Sequence, residues 1–395
     1  MLVKQCSTML KSFKYRMYPN QEQEAKIIQT FGAVRFVYNW SLEQKIKAYE
    51  TENITVSRFE LNNMLPDLKT ENEWLKDVNS QSLQEANKRL DSAFTKFFRE
   101  KKGFPKFKSR KNPVQSFQIP QNYEVDFKTN KIKLPKIGWI KVILHRVFVG
   151  TLKTATVSLN TTGQFHISIV VDDGKDVPEK EQFDYNSTLG IDVGIKHFAT
   201  FSDGTKIDNP KHLINSNKRL EVLQRRLSKK QKGSKNRNKA RHNIAKIHNH
   251  IANQRQDFLQ KLSSKVVSEN QAIAVETLNI GGMMKNHCLA RAIADASWSE
   301  FFRMGEYKAE WYGKTVIHIG RFEPSSKICN VCGTINNCLK LSDREWKCNK
   351  CNTVHDRDIN ASINIKNFAL QPQNLISISS PAERRVGPVG GANNG

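Results

Sequence analysis

The sequence lacks the features that would place the protein in or beyond a membrane. No apolar run reaches the roughly 18 residues of a transmembrane helix. The opening stretch MLVKQCSTMLKSFKY has neither the apolar segment nor the small-residue cleavage site of a signal peptide. We therefore expect a cytoplasmic protein with no membrane partner.

Acidic residues are scarce relative to basic ones. The 395 residues include 63 Lys and Arg but only 38 Asp and Glu, which gives a formal net charge of +25. Such an excess repels itself in a compact state unless a polyanion neutralises it, so nucleic acid is the expected partner. The length predicts two or three domains, and a hydrophobic content of 38% is enough to give them cores.

Cysteine is also sparse, and its spacing indicates a metal site. Of seven cysteines, four form two C-x-x-C pairs fifteen residues apart, which can gather four thiolates around zinc. Gly333 and Asn349 suit the tight turns that present the sulfurs. A redox pair and an iron site are the alternatives, whereas a four-cysteine zinc site is structural because it leaves no position for water. The candidate ligands are Cys329, Cys332, Cys348 and Cys351.

The first half of the chain changes its pattern twice. Residues 13–18 are strand-like and end at Pro19, and residues 21–98 show helical spacing for three or four helices, with Pro66 between two of them. Residues 114–172 then alternate as strands do. We expect these strands to form a small antiparallel barrel, followed by an acidic linker over residues 172–185.

A loop before the barrel strands combines basic and aromatic residues. From Lys96 to Lys111, eight basic residues surround four phenylalanines. This composition suits contacts with phosphates and bases, and solvated surface charge is the plainer interpretation. The candidate nucleic-acid contacts are Lys106, Lys108 and Arg110.

The stretch LGIDVGIKHFATF, residues 189–201, opens the second half. Apolar residues alternate with Gly190, Asp192 and Gly194, so we expect a half-buried strand that displays Asp192 on its polar face. The Asp203-Gly204 pair then predicts a hairpin turn. A strand with a carboxylate followed by a hairpin is typical of the start of an RNase H-like nuclease domain.

A strongly basic helical segment follows. No acid occurs between Glu221 and Asp257, and Gly233-Ser234 interrupts the helical pattern. Leucines and isoleucines keep a core-facing stripe, so we expect a helical hairpin that binds a phosphate backbone. The candidate contacts are Arg225, Arg226, Lys229, Lys230, Lys232, Lys235, Arg237, Lys239 and Arg241.

Three widely separated acids could form a second metal site. Asp192 lies on the first strand of this half, Glu276 ends the strand-like run AIAVE, and Asp358 lies in HDRDINASINI at the start of a helix. Carboxylates at the ends of adjacent elements can hold Mg²⁺, and two such ions can drive phosphodiester hydrolysis. Taken singly, each acid is most simply an ordinary surface carboxylate.

The order of these motifs resembles one family. GIDVG, AVE, the two cysteine pairs and DRDINASINI resemble the TnpB (OrfB) family of transposon-encoded RNA-guided DNA endonucleases, which are related to type V CRISPR effector nucleases. The resemblance covers about residues 10–370 and includes YRMYPN, RFVYNW, GFPKF, LPKIGWIK and SSKICNVCG.

The resemblance implies a multidomain α+β fold. An RNase H-like (RuvC) α/β nuclease domain with an inserted zinc ribbon would follow a β-barrel wedge domain that is split by a helical recognition lobe. The implied boundaries are 1–20 and 106–180 for the barrel, 21–105 for the lobe, 181–324 and 356–370 for the nuclease domain, 325–355 for the ribbon, and 371–395 for a disordered tail.

The resemblance also implies a function. Its motifs place the catalytic acids at Asp192, Glu276 and Asp358, and they make Asp356 the nearest competitor for the third role. The expected cofactors are two Mg²⁺ ions, Zn²⁺ and a guide RNA from the transposon end. Double-stranded target DNA is the expected partner of a monomer in a ribonucleoprotein, near the nucleoid of a prokaryote. A catalytically silent RNA-guided regulator and a zinc-ribbon nucleic-acid binder without a guide are the alternatives.

Overall fold

The computed structural model describes residues 8–340 and 342–371, and the chain divides into two compact units after Asp176. The predicted disordered tail lies outside the described residues, apart from Gln371. Within the described ranges, no helix is long and apolar enough to cross a membrane.

The first unit combines four α-helices with a seven-stranded sheet. The elements are β1 (Thr8–Tyr18), α1 (Gln21–Glu52), α2 (Arg58–Asn63), α3 (Leu65–Glu71), a 3₁₀ turn (Glu73–Asp77), α4 (Ser80–Glu100), β2 (Gln115–Ile119), β3 (Glu124–Asp126), β4 (Lys131–Leu134), β5 (Gly138–Ile143), β6 (Thr151–Leu159) and β7 (Phe165–Asp176). The predicted helical stretch is confirmed, and Pro66 lies in the first turn of α3, where its missing N–H is not needed.

Every neighbouring pair in this sheet is antiparallel, in the order β2-β6-β7-β1-β5-β4-β3. Over the residues that the structure describes, no ladder joins β2 to β3, so closure into a barrel stays a prediction. The linker begins later than expected, because β7 continues to Asp176 and pairs there with Thr8 of β1.

The second unit surrounds a five-stranded sheet. Its elements are β8 (Thr188–Val193), β9 (His197–Phe201), β10 (Lys206–Asp208), α5 (His212–Ser228), α6 (Lys235–Glu269), β11 (Ala272–Glu276), α7 (Ile280–Met283), α8 (Ala290–Ala296), α9 (Trp298–Trp311), β12 (Thr315–Ile319), β13 (Glu345–Lys347), β14 (Val354–Asp356) and α10 (Arg357–Ala369). The order is β10-β9-β8-β11-β12, with β8, β11 and β12 parallel and the other two pairs antiparallel.

The expectation of a half-buried strand at residue 189 was wrong. Leu189, Gly190 and Ile191 are all buried, because Leu189 and Ile191 pack against α6 and α9 on one face while α10 covers the other. Central strands of parallel sheets are covered on both faces in this way. The stretch 189–201 also holds two strands, β8 and β9, and the predicted Asp203-Gly204 turn joins β9 to β10.

Gly190 allows α10 to approach β8 closely. A Cβ atom at this position would lie 2.1 Å from the carbonyl oxygen of Ser362 and 2.8 Å from Cβ of Lys366, both in α10. Only a residue without a side chain can accept a helix backbone at that distance. The glycine of the GIDVG motif therefore fixes where α10, and with it Asp358, lies against the sheet.

Gly190→Ala should lower the free energy of unfolding by about 3 kcal/mol or more, because the added methyl group overlaps a backbone oxygen that cannot rotate away. Calorimetric unfolding of the purified protein measures this change.

Gly305→Ala, in the middle of α9, is the matched control, because a Cβ there meets no atom within 4 Å. It should stabilise the protein by roughly 0.5–1 kcal/mol through helix propensity. Equal melting temperatures for the two alanine variants would contradict the close-approach argument.

Candidate functional site

The sheet and α10 bring the three predicted acids together. Asp192 is the fifth residue of β8, Glu276 ends β11, and Asp358 lies in the first turn of α10. Because β8 and β11 are adjacent and parallel, with Ile191 opposite Val275, their carboxyl ends meet at one edge of the sheet. The helix that packs on β8 adds the third acid at the same edge.

The charges of the other two acids act on Asp192. Burial raises the pKa of Asp192 well above its usual range, and the charges of Glu276 and Asp358 raise it further. Arg357 and Arg344 act in the opposite direction. Three carboxylates at one edge are the ligands that hard divalent cations prefer, and a bound cation would relieve their repulsion.

The sequence interpretation missed Arg344. Its Nη1 lies 3.6 Å from Oδ1 of Asp358, and Arg344 comes from the segment just before β13, between the two cysteine pairs. Its carbonyl also accepts a hydrogen bond from the backbone N–H of Arg357 at 2.8 Å. Nothing in the sequence distinguishes this arginine from the other basic residues of so basic a chain.

Asp356 has a different structural role from Asp358, because its carboxylate is engaged by the start of α10 and by a lysine. It is the N-cap of α10, where its Oδ1 accepts hydrogen bonds from the N–H groups of Asp358 and Ile359, both at 3.1 Å. Its Oδ2 forms an ion pair with Nζ of Lys206 at 2.6 Å. Asp356 is therefore the N-cap residue of α10, and it also pairs with Lys206.

The four predicted cysteines form one cluster. Their Sγ atoms all lie within 4.8 Å of one another, with Cys329 3.6 Å from Cys351 and Cys332 3.5 Å from Cys348. Four sulfurs at such spacing fit a tetrahedral zinc ion better than a single redox pair. The other described cysteines, Cys288 and Cys338, are exposed and lie apart from the cluster.

The two cysteine turns repeat one geometry. In each, the N–H of the first cysteine donates at 2.9 Å to the carbonyl of a threonine five residues later, Thr334 or Thr353. The residue after the second cysteine has a positive φ, 72° at Gly333 and 60° at Asn352. The turn residue of the second pair is therefore Asn352 and not Asn349, because the left-handed position follows the pair.

Polar contacts lower the pKa of Cys332 and Cys351, whereas burial raises the pKa of Cys329 to about 11. Thr334 lowers the pKa of Cys332 to about 6, so the thiolate, which is the form that binds metal, dominates at neutral pH. Nε2 of His355 lies 3.1 Å from Sγ of the buried Cys329, and its ring contacts Trp346 in a tilted arrangement with the ring centres 4.7 Å apart. A ring N–H directed at a metal-bound thiolate is a typical outer contact of zinc sites.

The predicted helical hairpin is confirmed as α5 and α6. Ser234 caps α6, and Leu220, Ile247 and Ile251 form the buried contact between the two helices. The basic candidates other than Arg237 are exposed. Arg237 instead donates from Nη1 to the carbonyls of Leu227 and Lys230, at 3.0 and 2.9 Å, and closes the hairpin.

In the basic loop of the first unit, too, some of the candidate residues are exposed and one is occupied by contacts within the protein. Lys106 and Arg110 are exposed, as are the rings of Phe104 and Phe107. Nζ of Lys108 instead lies 3.7 Å from the ring centre of Tyr38, and burial lowers the pKa of Lys108 to about 8. Its backbone exchanges two hydrogen bonds with the side chain of Asn39, at 2.7 and 3.0 Å. Whether these residues contact nucleic acid stays a prediction.

Comparison with known proteins identifies the family. A relative from Streptomyces pristinaespiralis, provisionally named an RNA-guided DNA endonuclease, is 39% identical over 363 residues, which cover 90% of this chain and 88% of the relative. The chain belongs to the TnpB (OrfB) family. InsQ of Escherichia coli K12, a member with the same provisional name, is 32% identical over 373 residues, or 90% of this chain and 91% of InsQ.

Family profiles cover both units of this TnpB-family chain. The OrfB profile described as "Probable transposase" matches residues 168–287, and the Cas12f1-like TNB domain profile matches residues 298–365, which include the cysteine cluster. The OrfB profile described as a helix-turn-helix domain matches residues 9–53. In the structure, residues 9–53 contain strand β1 and the single helix α1.

A solved structure shares the fold. The cryo-EM structure of a Cas12f1–sgRNA–target DNA complex matches 93% of this chain and 99% of the Cas12f1 chain, with a TM-score of 0.53 and 15% identity. This likeness supports the mixed α/β fold. The boundaries of the wedge barrel, recognition lobe, nuclease domain and ribbon stay predictions.

The cysteine cluster yields a direct prediction. Cys348→Ser should lower bound zinc from about one ion per chain to a small fraction and loosen residues 325–355, because thiolate–metal bonds supply folding free energy that so small a segment lacks. Elemental analysis and hydrogen exchange of protein purified without chelators measure both effects.

Cys338→Ser is the matched control, since Cys338 lies in the same segment outside the cluster. Wild-type protein without zinc, or equal zinc loss in the two variants, would refute the assignment.

Proposed function

We propose that this chain is an RNA-guided DNA endonuclease that hydrolyses phosphodiester bonds at Asp192, Glu276 and Asp358. The observation that carries the proposal is the meeting of these three acids, from β8, β11 and α10, at one edge of the sheet in a chain of net charge +25. The provisional names of the most similar relatives support the same activity.

The donor set fits Mg²⁺. When bound, two such ions activate the attacking water and stabilise the leaving oxygen of the phosphodiester. Each acid has a distinct setting in the chain: Asp192 is enclosed by the sheet and by the other two acids, Asp358 faces Arg344, and Glu276 accepts a hydrogen bond from Ser325. The two arginines near Asp192 would offset part of the charge of an entering phosphate.

The proposed domain assignment follows the two units. The second unit would be the RuvC-like nuclease domain, with two antiparallel strand pairs followed by two parallel pairs in its sheet and with a zinc ribbon between β12 and α10. The first unit would hold the wedge barrel and the helical recognition lobe. A guide RNA from the transposon end and double-stranded DNA would be bound by the exposed basic surfaces, in a monomeric ribonucleoprotein.

The catalytically silent regulator is the alternative in this family. It would be favoured by the loss of an acid, and here all three are present and meet at one edge. The nuclease is therefore the proposal.

Alanine at Asp192, Glu276 or Asp358 should reduce cleavage of a guide-matched DNA at least 1000-fold, because each change removes a ligand of the metals that do the chemistry. DNA binding should persist, since losing a negative charge near phosphates does not weaken their attraction to basic residues. Plasmid cleavage and filter binding, with guide RNA from the native locus and Mg²⁺, measure the two properties.

Asp356→Asn is the matched control for these acids. Asparagine keeps the N-cap of α10 while losing the ion pair with Lys206, so most cleavage should remain. Undiminished cutting by Asp192→Ala would overturn the active-site assignment.

Changing Arg225, Arg226, Lys229 and Lys230 together to alanine should weaken guide RNA binding. Each lost phosphate contact should reduce the slope of log affinity against log salt concentration by about 0.7. Binding titrations at several salt concentrations measure the slope.

A second variant removes the same charge elsewhere. Lys26, Lys47, Lys76 and Lys88 each form an ion pair with a glutamate three or four residues away on their own helix or turn. Because each of these charges is already offset by its glutamate, their joint change to alanine should reduce the slope less than the hairpin change does. If both variants give the same slope, the α5–α6 hairpin is not the RNA surface.

A further inference from the structure

Ser325 contacts one of the three acids directly. It is a buried side chain, 6% exposed, in the segment between β12 and the first cysteine pair. Its Oγ donates a hydrogen bond to Oε1 of Glu276 at 2.5 Å. A hydroxyl in this position occupies one carboxylate oxygen and leaves the other available to a cation.

The backbone around Ser325 is held by α10. Nδ2 of Asn364 donates to the carbonyls of Ser325 and Ile328, both at 2.7 Å. Nδ2 of Asn360 donates to the same Ile328 carbonyl at 2.8 Å, and its Oδ1 accepts from the N–H of Asn330 at 3.0 Å. Both asparagines are buried and lie one helical turn apart, so they face the same segment.

The segment is itself a tight turn. The N–H groups of Lys327 and Ile328 both donate to the carbonyl of Pro324, at 3.0 and 3.2 Å. Ser325 is the second residue of this turn, which spans residues 324–328, and Cys329 is the next residue after the turn. A serine held by its own turn and by a helix has little freedom to release Glu276.

We propose that Ser325 is a positioning residue that orients the Glu276 carboxylate for a divalent cation, and that Asn364 holds Ser325 in place. A glutamate has three side-chain torsions, and all three must be fixed for its carboxylate to hold a cation. Removing a partner that restricts a ligand's rotation commonly lowers metal affinity about 10–100-fold. Helix α10 then places two of the three acids, Asp358 through its own backbone and Glu276 through Ser325. This inference rests on the proposed nuclease function.

The test compares Ser325→Ala with the pair Ser325→Thr and Ser325→Val. Threonine and valine have the same size and differ only in the hydroxyl, so any steric cost is common to both. Mn²⁺ binding to the protein–guide complex, followed by electron paramagnetic resonance, and single-turnover cleavage over a Mn²⁺ series are the readouts.

Alanine and valine should raise the half-saturating Mn²⁺ concentration about tenfold in both readouts. Cleavage at saturating Mn²⁺ should fall only severalfold, and threonine should restore both values to within about twofold. Ser362→Ala is the matched control, because the hydroxyl of this buried serine donates only to the Ile359 carbonyl within α10. It should behave as wild type.

Equal Mn²⁺ affinity for Ser325→Thr and Ser325→Val would overturn the role of Ser325, even if Ser325→Ala folds poorly. If Asp192→Ala binds as much Mn²⁺ as wild type and the wild-type complex does not cut DNA, the proposed function is overturned together with this inference. If wild type binds Mn²⁺ and cuts DNA, and Ser325→Ala has the same Mn²⁺ affinity and cleavage as wild type, only the inference about Ser325 is overturned.

Discussion

The contact between α10 and β8 is the constraint on which the candidate site depends. Gly190 has no side chain, so the Ser362 carbonyl can lie where a Cβ atom would otherwise stand. At that distance the first turn of α10 places Asp358 beside Asp192, and its buried asparagines reach the turn that carries Ser325. A glycine in a central strand weakens the strand locally. Here the close approach that the glycine allows brings acids from three separate elements to one edge of the sheet.

The cysteine segment lies between β12 and α10, and this position links its folding to the site. Its described apolar side chains form only a small cluster, with Trp346 and Leu339 beside the cysteines, which is too little to order it alone. A four-thiolate metal site and the asparagines of α10 would supply the rest. The ordered segment places Arg344 beside Asp358 and Ser325 beside Glu276. A structural metal at the four cysteines would therefore affect the geometry around Asp358 and Glu276.

The sequence was sufficient for those parts that local patterns determine. Cysteine spacing predicted the sulfur cluster, because two C-x-x-C pairs at this separation have few other uses. The three acids were selected by the resemblance to the family, because each of them alone looks like an ordinary surface carboxylate, and their catalytic roles stay a prediction. Packing between distant parts of the chain could not be predicted from local patterns. The burial of β8 on both faces depends on α10, which comes more than 160 residues later. Ser325 and Arg344 were missed because a serine or an arginine acquires its role only from what the fold places next to it.

Binding and cutting obey different electrostatics in this chain. The basic residues of the α5–α6 hairpin are exposed, so their attraction to phosphates is screened over a Debye length of about 8 Å at physiological salt. Asp192 is half-buried, and burial together with Glu276 and Asp358 raises its pKa, so salt screens those interactions less than it screens the exposed basic residues. An entering phosphate would add negative charge that Arg344 and Arg357 only partly offset. Under the proposed function, the three acids would bind a divalent cation more strongly once a phosphate lies beside them, whereas salt would govern how strongly the exposed basic residues attract the nucleic acid.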